Sequence, residues 1–274
     1  MLKTRLFTAF FLLAVFLAAL FGLPDFYWAL LMLAVIVVGA WEWARLTNFP
    51  VRYQYIFAGV TLVVGIALLP DLWQGAMPAV QRHVLFWAML AAAPFWLGMV
   101  PAWLLAHYKV RHKSLLAIAG AVVLLPAWLA LVYLRKVSPW LVLGVVMVVW
   151  IADSAAYFAG KAFGRHKLAP EISPGKTWEG VAGAAVAVTL YGLALSLMFD
   201  ISLWLVIGLL LLMVLSIIGD LFESLLKRQA GLKDSGGILP GHGGILDRVD
   251  GLTSTLPLAA LYLHFPLYYA AFHE

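Results

Sequence analysis

The sequence contains no cysteine and few charged residues. The lack of cysteine excludes disulfide bonds and thiolate metal sites. Charged residues make up only 11% of the chain and hydrophobic residues 65%, whereas a soluble domain has roughly 45–50% apolar residues. No single water-soluble core can bury that much apolar sequence. The composition therefore predicts a protein that crosses a membrane several times.

About nine apolar stretches are long enough to cross a bilayer as helices, which need roughly 20 residues each. We therefore predict an all-α polytopic membrane protein with about nine transmembrane helices. The first two stretches are joined so tightly at Pro24 that a re-entrant pair is the alternative for them. The stretches are Leu6–Gly22, Phe26–Trp43, Tyr55–Leu69, His83–Leu105, Leu115–Leu134, Trp140–Ala159, Val181–Phe199, Leu203–Leu221 and Leu252–Phe272.

The distribution of basic residues predicts the orientation in the membrane. With the N-terminus in the cytoplasm, only Arg82, Arg135 and Lys136 of the 18 Lys and Arg residues fall on the far side, and short cytoplasmic loops are enriched in these residues. The loops after the sixth and eighth spans then both face the cytoplasm. The net charge of +5 lies in loops beside the spans, so we expect an anionic lipid bilayer, and no nucleic acid, as a partner.

The chain changes in character near Val137. Residues 1–136 are almost entirely apolar and predict an N-terminal transmembrane scaffold of about five spans. Residues 137–274 predict a catalytic transmembrane region of about four spans, with cytoplasmic loops 160–180 and 222–251. Glu42 and Arg45 are the exception in the scaffold. Since they lie three residues apart on one helix face, we interpret them as a structural ion pair at the membrane edge.

A polar stripe leads out of the sixth span. Asp153, Tyr157 and Lys161 recur at helical spacing and therefore share one helix face. A carboxylate in the apolar layer is costly unless it is paired or bound to a metal. Asp153 is therefore a candidate functional residue, with a partner on a neighbouring helix as the alternative.

The loop that follows contains a Gly-Lys-Thr sequence that ends in Lys176 and Thr177. Pro170 stands where a P-loop requires glycine, so we do not expect a Walker-type nucleotide site. Ser173, Lys176 and Thr177, with the positive end of the next helix, form a candidate phosphate cradle. The alternative is that Ser173 or Thr177 caps that helix.

The eighth span ends in a polar helix face. Asp220, Glu223, Ser224 and Lys227 follow one another at helical offsets, which places all four on one side. An ion pair between Glu223 and Lys227 is the structural explanation for half of this face. It leaves Asp220 unexplained.

The segment from Ser224 to Asp250 is dense in charge and glycine. Such a segment in a membrane protein indicates a functional site. His242 lies between two glycines, and zinc is not expected because no second His or Cys is near. Asp247 and Asp250 precede the last span, where a helix cap is the alternative role. Phosphate binding is expected from Lys227, Arg228, Lys233 and Arg248, and metal binding from Asp234, Asp247 and Asp250.

The same segment resembles, without a departure, the signature of the phosphatidate cytidylyltransferase family. The matching positions are Ser224-x2-Lys227-Arg228-x4-Lys233-Asp234-x-Gly236-x3-Pro240-Gly241-His242-Gly243-Gly244-x2-Asp247-Arg248-x-Asp250. Supporting similarity extends from about Ile151 to Gly251 and includes Asp153–Tyr157, Ser173–Gly180 and Gly219-Asp220.

The resemblance implies transfer of CMP from CTP to phosphatidic acid, giving CDP-diacylglycerol and pyrophosphate. It implies Mg²⁺ held by Asp220 and Asp247, with Glu223 and Asp250 as further candidate ligands and a second cation expected beside the first. The catalytic residues expected at the reacting phosphates are Asp220, Asp247, Lys227, Arg248 and Asp153. Expected to bind the substrates are Ser173, Lys176, Thr177, Lys161, Ser224, Arg228, Lys233, Asp234, His242, Gly243 and Gly244.

The compact chain further suggests a bacterial inner membrane, and a homodimer is expected. Two alternatives are a CTP-dependent polyprenol or phytol kinase and a transporter that couples ions through Asp153 and Asp220. The complete signature argues against the kinase. The charges cluster late in the chain, whereas a transporter usually has two related halves.

Overall fold

The computed structural model describes residues 2–72, 79–239 and 243–273, which are almost entirely helical. Helices α4 and α5 are joined through the π-helical segment Phe95–Met99 and form one rod, so the described residues form nine rods. Each of the nine predicted apolar stretches lies in one rod, which confirms the predicted fold class. The helices are α1 (Leu2–Gly22), α2 (Asp25–Leu46), α3 (Val51–Leu72), α4 (Ala79–Pro94), α5 (Val100–Ala106), α6 (Lys113–Val137), α7 (Pro139–Phe163), α8 (Trp178–Phe199), α9 (Trp204–Ala230) and α10 (Leu246–His273).

Seven rods contain an apolar segment long enough to cross a bilayer, namely those of α2, α3, α4 with α5, α6, α7, α8 and α9. Helix α1 adds a shorter apolar helix, Thr8–Gly22. Helices α1 and α2 are separate helices of 21 and 22 residues. The chain is a multi-pass membrane protein.

The loop between α7 and α8 contains a small β-hairpin that the sequence did not predict. Strand β1 (Lys167–Ala169) pairs antiparallel with β2 (Ser173–Thr177), with Lys167 opposite Thr177. Proline and glycine inside β2 are typical of turns. The strands nevertheless form because each supplies backbone partners to the other and because β2 packs against α7, α8 and α9.

The largest buried cluster draws residues from both halves of the chain. Helix α10 packs against α9, α6 and α4, and α2 packs against α6. Trp28, Trp96 and Trp128 are fully buried. Large apolar side chains on α8, such as Leu190 and Leu197, remain exposed, as expected for a surface that faces lipid.

Helices α9 and α10 cross in close contact at Gly219. A Cβ atom on Gly219 would lie 2.6 Å from the carbonyl oxygen of Asp250 and 2.6 Å from the hydroxyl oxygen of Ser254. Small residues allow this close approach between membrane helices. The crossing places Asp220, the next residue on α9, near the first turn of α10.

Contacts between β2 and α9 bring the loops after α7 and α9 to the same end of the bundle. This is the arrangement that the orientation analysis predicted for these two loops. Buried Arg135 at the end of α6 pairs with Asp25 at the start of α2 and lies at the opposite end.

Candidate active site

Asp220 lies at the centre of the polar end of α9. Its Oδ2 atom is 2.6 Å from Nζ of Lys176, which β2 supplies. The Ser224 hydroxyl donates a hydrogen bond to Asp220 Oδ1 at 3.2 Å. Lys176 and Asp220 have side-chain exposures of 24% and 29%, so this ion pair remains accessible. Lys176 is therefore the partner of Asp220, which the spacing in the sequence did not indicate.

Lys227, about two turns after Asp220 on α9, bridges two carboxylates. Its Nζ atom is 3.2 Å from Oε2 of Glu223 and 2.7 Å from Oδ1 of Asp247. The predicted ion pair between Glu223 and Lys227 is therefore confirmed. Lys227 also pairs with Asp247 on α10. All three side chains are 12% exposed or less, so the ammonium group offsets the cost of burying two negative charges.

The Asp247 carboxylate also organises the glycine-rich loop, which the structure describes at residues 235–239 and 243–245. Oδ2 accepts hydrogen bonds from the backbone N–H of Ser235 at 2.9 Å, the Ser235 hydroxyl at 2.9 Å and the backbone N–H of Gly244 at 2.8 Å. Asp247 lies ahead of the apolar part of α10, which begins at Leu252. Burial raises the pKa of this carboxyl, but the hydrogen bonds from Lys227, Gly244 and Ser235 outweigh burial and hold the pKa below its ordinary value.

Two further aspartates border these ion pairs. Asp153 on α7 lies within electrostatic range of Asp220, Lys176 and Arg248. Asp250 on α10 lies within range of Asp220 and Asp153, and its Oδ1 accepts the N–H of Gly251 at 2.7 Å. Helices α7, α9 and α10 therefore bring five predicted site carboxyl groups together at the same end of the bundle.

The three residues of the predicted phosphate cradle make different contacts, and their binding of phosphate stays a prediction. Thr177 caps α8, because its hydroxyl accepts the N–H of Gly180 at 3.1 Å, so the structural alternative holds for this residue. Ser173 pairs with Ala169 in the hairpin. Lys176 alone of the three cradle residues contacts a site carboxylate.

Other predicted substrate-binding residues lie outside these contacts. Arg228 donates from Nε to the carbonyl oxygen of Ile172 at 3.2 Å and so holds the hairpin turn. The Lys161 ammonium lies over the Tyr157 ring, 5.8 Å from its centroid. Lys233 and Asp234 are exposed. Their roles at the substrate stay predictions.

The glycine-rich loop closes on itself before α10. The N–H of Leu239 donates to the carbonyl oxygen of Gly243 at 3.0 Å. Gly243 has φ of 80°, in the region that glycine adopts without strain, and a Cβ atom there would lie 2.6 Å from Oδ2 of Asp247. His242 lies outside the described residues.

The predicted ion pair between Glu42 and Arg45 is wrong. The fully buried Glu42 carboxylate contacts Ser235 and the start of α10, whereas the Arg45 guanidinium lies over the Trp41 ring at 5.7 Å. Local spacing indicated the wrong partner. A pair at i,i+3 contributes only about 0.2–0.5 kcal/mol, so contacts with a distant segment can replace it. Nothing in the sequence spacing pointed to Ser235.

The carboxylates at this end of the bundle have the chemistry of a Mg²⁺ site. Mg²⁺ prefers oxygen ligands and is held by one or two carboxylates together with water and substrate phosphates. Glu223 is buried beside Asp250, and Asp220 is accessible. In the part of the chain that the structure describes, no three His or acidic side chains form a ready-made metal cluster. Carboxylate oxygens of this kind fit Mg²⁺ by their chemistry.

The chain is similar to known proteins over nearly its whole length. The model of the Cytidylyltransferase family matches residues 3–266. A phosphatidate cytidylyltransferase from Pseudomonas aeruginosa is 42% identical over 96% of this chain and 97% of its own length. A phosphatidate cytidylyltransferase from Haemophilus influenzae is 34% identical over 97% of this chain and 100% of its own length. The chain belongs to the cytidylyltransferase family.

Proposed function

We propose that the chain is a CTP:phosphatidate cytidylyltransferase, which transfers CMP from CTP to phosphatidic acid and releases pyrophosphate. The observation that carries this proposal is the meeting of Lys176, Lys227, Asp220 and Asp247 from three separate segments at one end of a membrane helix bundle. Family membership and the two relatives support the same activity.

The reaction suits a site made of ion pairs. The phosphate group of phosphatidic acid is already an anion near neutral pH, so its oxygen can attack the α-phosphate of CTP without a strong general base. The chain then has to align two anions and offset their charge. Lys176 and exposed Arg248 stand where they can contact phosphate oxygens, and Lys227 keeps Asp247 and Glu223 in place.

Asp220 and Asp247 would hold Mg²⁺, with Glu223 and Asp250 next to them. When bound, the ion would neutralise triphosphate charge and make the α-phosphate more electrophilic. Five carboxyl groups (Asp153, Asp220, Glu223, Asp247 and Asp250) are in contact or electrostatic range with three cations (Lys176, Lys227 and Arg248). This excess of acidic over basic groups favours uptake of one divalent cation or more.

The location of the site matches the two substrates. A phosphatidic acid molecule keeps its tails in lipid and presents its headgroup at the membrane surface, and CTP arrives from water. We place this end of the bundle at the cytoplasmic face of a bacterial inner membrane, and a homodimer is part of the proposal. Accessibility labelling of an introduced cysteine, in a chain that has none, tests the orientation.

Labelled CTP tests the reaction directly. Purified protein in detergent is incubated with phosphatidic acid, Mg²⁺ and CTP labelled at the α-phosphate. We expect label in a lipid product and release of unlabelled pyrophosphate. Asp220→Asn and Asp247→Asn should both abolish transfer, whereas Asp200→Asn, at the C-cap of α8, serves as the matched control. Absence of labelled lipid with the wild-type protein across several divalent metals would refute the proposal.

A further inference from the structure

Glu42 is a buried acid that the reaction scheme does not use. It lies on α2 in the N-terminal half, is 0% exposed and has no cationic partner among the described residues. A buried carboxylate without such a partner is expensive unless strong donors surround it. Its surroundings therefore indicate what it does.

The donors to Glu42 all come from the glycine-rich loop and the start of α10. Oε2 accepts the N–H of Leu246 at 2.8 Å and lies 3.2 Å from the Ser235 hydroxyl, and Oε1 accepts the N–H of Ile245 at 3.1 Å. Leu246 is 204 residues away in the sequence. The first N–H groups of a helix have no partner within the helix and carry partial positive charge. Glu42 thus caps α10 from another helix.

Two glycines of the loop make room for this carboxylate. A Cβ atom on Gly236 would lie 2.2 Å from Glu42 Oε1, and one on Gly244 would lie 2.5 Å from the same atom. Neither residue has a positive φ, so close approach, and not an unusual backbone conformation, requires glycine at both positions.

Ser235 connects Glu42 to the site residue Asp247. The fully buried Ser235 hydroxyl lies between Glu42 Oε2 and Asp247 Oδ2, at 3.2 Å and 2.9 Å. Asp247 and Arg248 follow Leu246 directly in the first turn of α10. Fixing the N–H groups of Ile245 and Leu246 therefore fixes the turn that carries both side chains.

We propose that Glu42 is a positioning residue for the cytidylyl transfer, which holds the glycine-rich loop and the first turn of α10 so that Asp247 and Arg248 face the substrates. The kinetic part of this proposal depends on the proposed function. The structural part, that Glu42 orders residues 235–239 and 243–248, does not. The N-terminal spans thereby contribute to the site as well as to the scaffold.

Glu42→Gln tests the proposal because it keeps the size of the side chain and removes acceptor capacity. The glutamine side chain of this variant has one acceptor oxygen, and its NH₂ group cannot accept a hydrogen bond. The NH₂ group therefore leaves unsatisfied either the N–H of Ile245 or the N–H of Leu246. The matched control is Asp25→Asn, which removes a carboxylate from the same helix about 25 Å away along its axis. Asp25 pairs with Arg135 at the opposite end of the bundle.

Amide exchange and kcat are measured on both variants, with kcat expressed per folded molecule. In Glu42→Gln we expect amides of residues 243–247 to exchange about tenfold faster and kcat to fall on the order of 10²-fold. In Asp25→Asn we expect both to stay at wild-type values, even if the melting temperature falls. A merely structural role would lower the melting temperature of both variants and leave kcat per folded molecule unchanged.

Three results would overturn the proposal. The first is unchanged exchange in residues 243–247 of Glu42→Gln, and the second is wild-type kcat per folded molecule in that variant. The third is a loss of kcat in Asp25→Asn as large as in Glu42→Gln. If Glu42→Gln does not fold, Ser235→Ala probes the same connection, and wild-type exchange and kcat in that variant would equally overturn it. An inactive wild-type protein would refute the proposed reaction, while the exchange data would still decide whether Glu42 orders the loop.

Discussion

Removing the Lys227 ammonium should destabilise the protein strongly. Lys227→Met keeps the length of the side chain but leaves Glu223 and Asp247 buried at 6% and 5% side-chain exposure without their shared cation. Breaking a buried ion pair by removing one partner costs about 3–5 kcal/mol. Asp247 retains three other hydrogen bonds, so we expect the lower end of this range. By the scaling of soluble domains, that corresponds to a fall in melting temperature on the order of 5–10 °C.

The double variant Glu223→Gln/Lys227→Met separates charge from packing. It removes one of the two uncompensated carboxylates, so it should recover part of the lost stability, although both variants should lose activity. Thermal unfolding followed by tryptophan fluorescence suits a chain with 12 Trp and no Cys. A melting temperature of Lys227→Met within about 2 °C of wild type, or a double variant less stable than the single one, would refute the reasoning.

Three further variants test other parts of the site. Lys176→Ala should reduce kcat/KM for CTP on the order of 10²-fold, whereas Lys109→Ala, which removes a lysine that contacts the end of α9 instead, should stay near wild type in the same assay. Gly244→Ala places a Cβ atom 2.2 Å from the buried hydroxyl oxygen of Ser235 and should lower the free energy of unfolding by about 1–3 kcal/mol through overpacking. Its control is Gly237→Ala, where a Cβ atom would have nothing within 4 Å, and the melting temperature should stay unchanged. Mg²⁺ with CTP should stabilise the wild-type protein by about 2.7 kcal/mol at a hundredfold excess over Kd, and Asp220→Asn should lose this gain; equal stabilisation of both would exclude Asp220 as a ligand.

Local features of the site could be predicted from the sequence. Spacing along one helix was sufficient for the ion pair between Glu223 and Lys227. The residue types before α8 narrowed its cap to Ser173 or Thr177, and Thr177 is the cap. Both depend on neighbours within four residues, where helix geometry fixes which side chains meet. The apolar stretches likewise predicted the nine rods of the described chain, because the bilayer sets the length of a span.

Contacts between distant segments could not be predicted in this way. The partner of Asp220 is a lysine from a β-hairpin, and the partner of Glu42 is the first turn of α10. Neither follows from periodicity, since the positions of whole helices decide which ends meet. For Glu42 the local reading also offered Arg45 as a competitor. Two backbone N–H donors, with the Ser235 hydroxyl nearby, satisfy the buried carboxylate more fully than the half-buried Arg45 guanidinium, which lies over Trp41.

The two ion pairs link binding of the anions to binding of a cation. Lys176 and Lys227 are held by Asp220 and Asp247 at 2.6 Å and 2.7 Å, so neither ammonium can turn fully to a phosphate without leaving a carboxylate uncompensated. For the buried Asp247 that exchange would be costly. A cation that replaces the ammonium at the carboxylate removes this cost and frees the lysine for the phosphate. We therefore expect CTP and Mg²⁺ to strengthen each other's binding, and the coupling must be the same from either side.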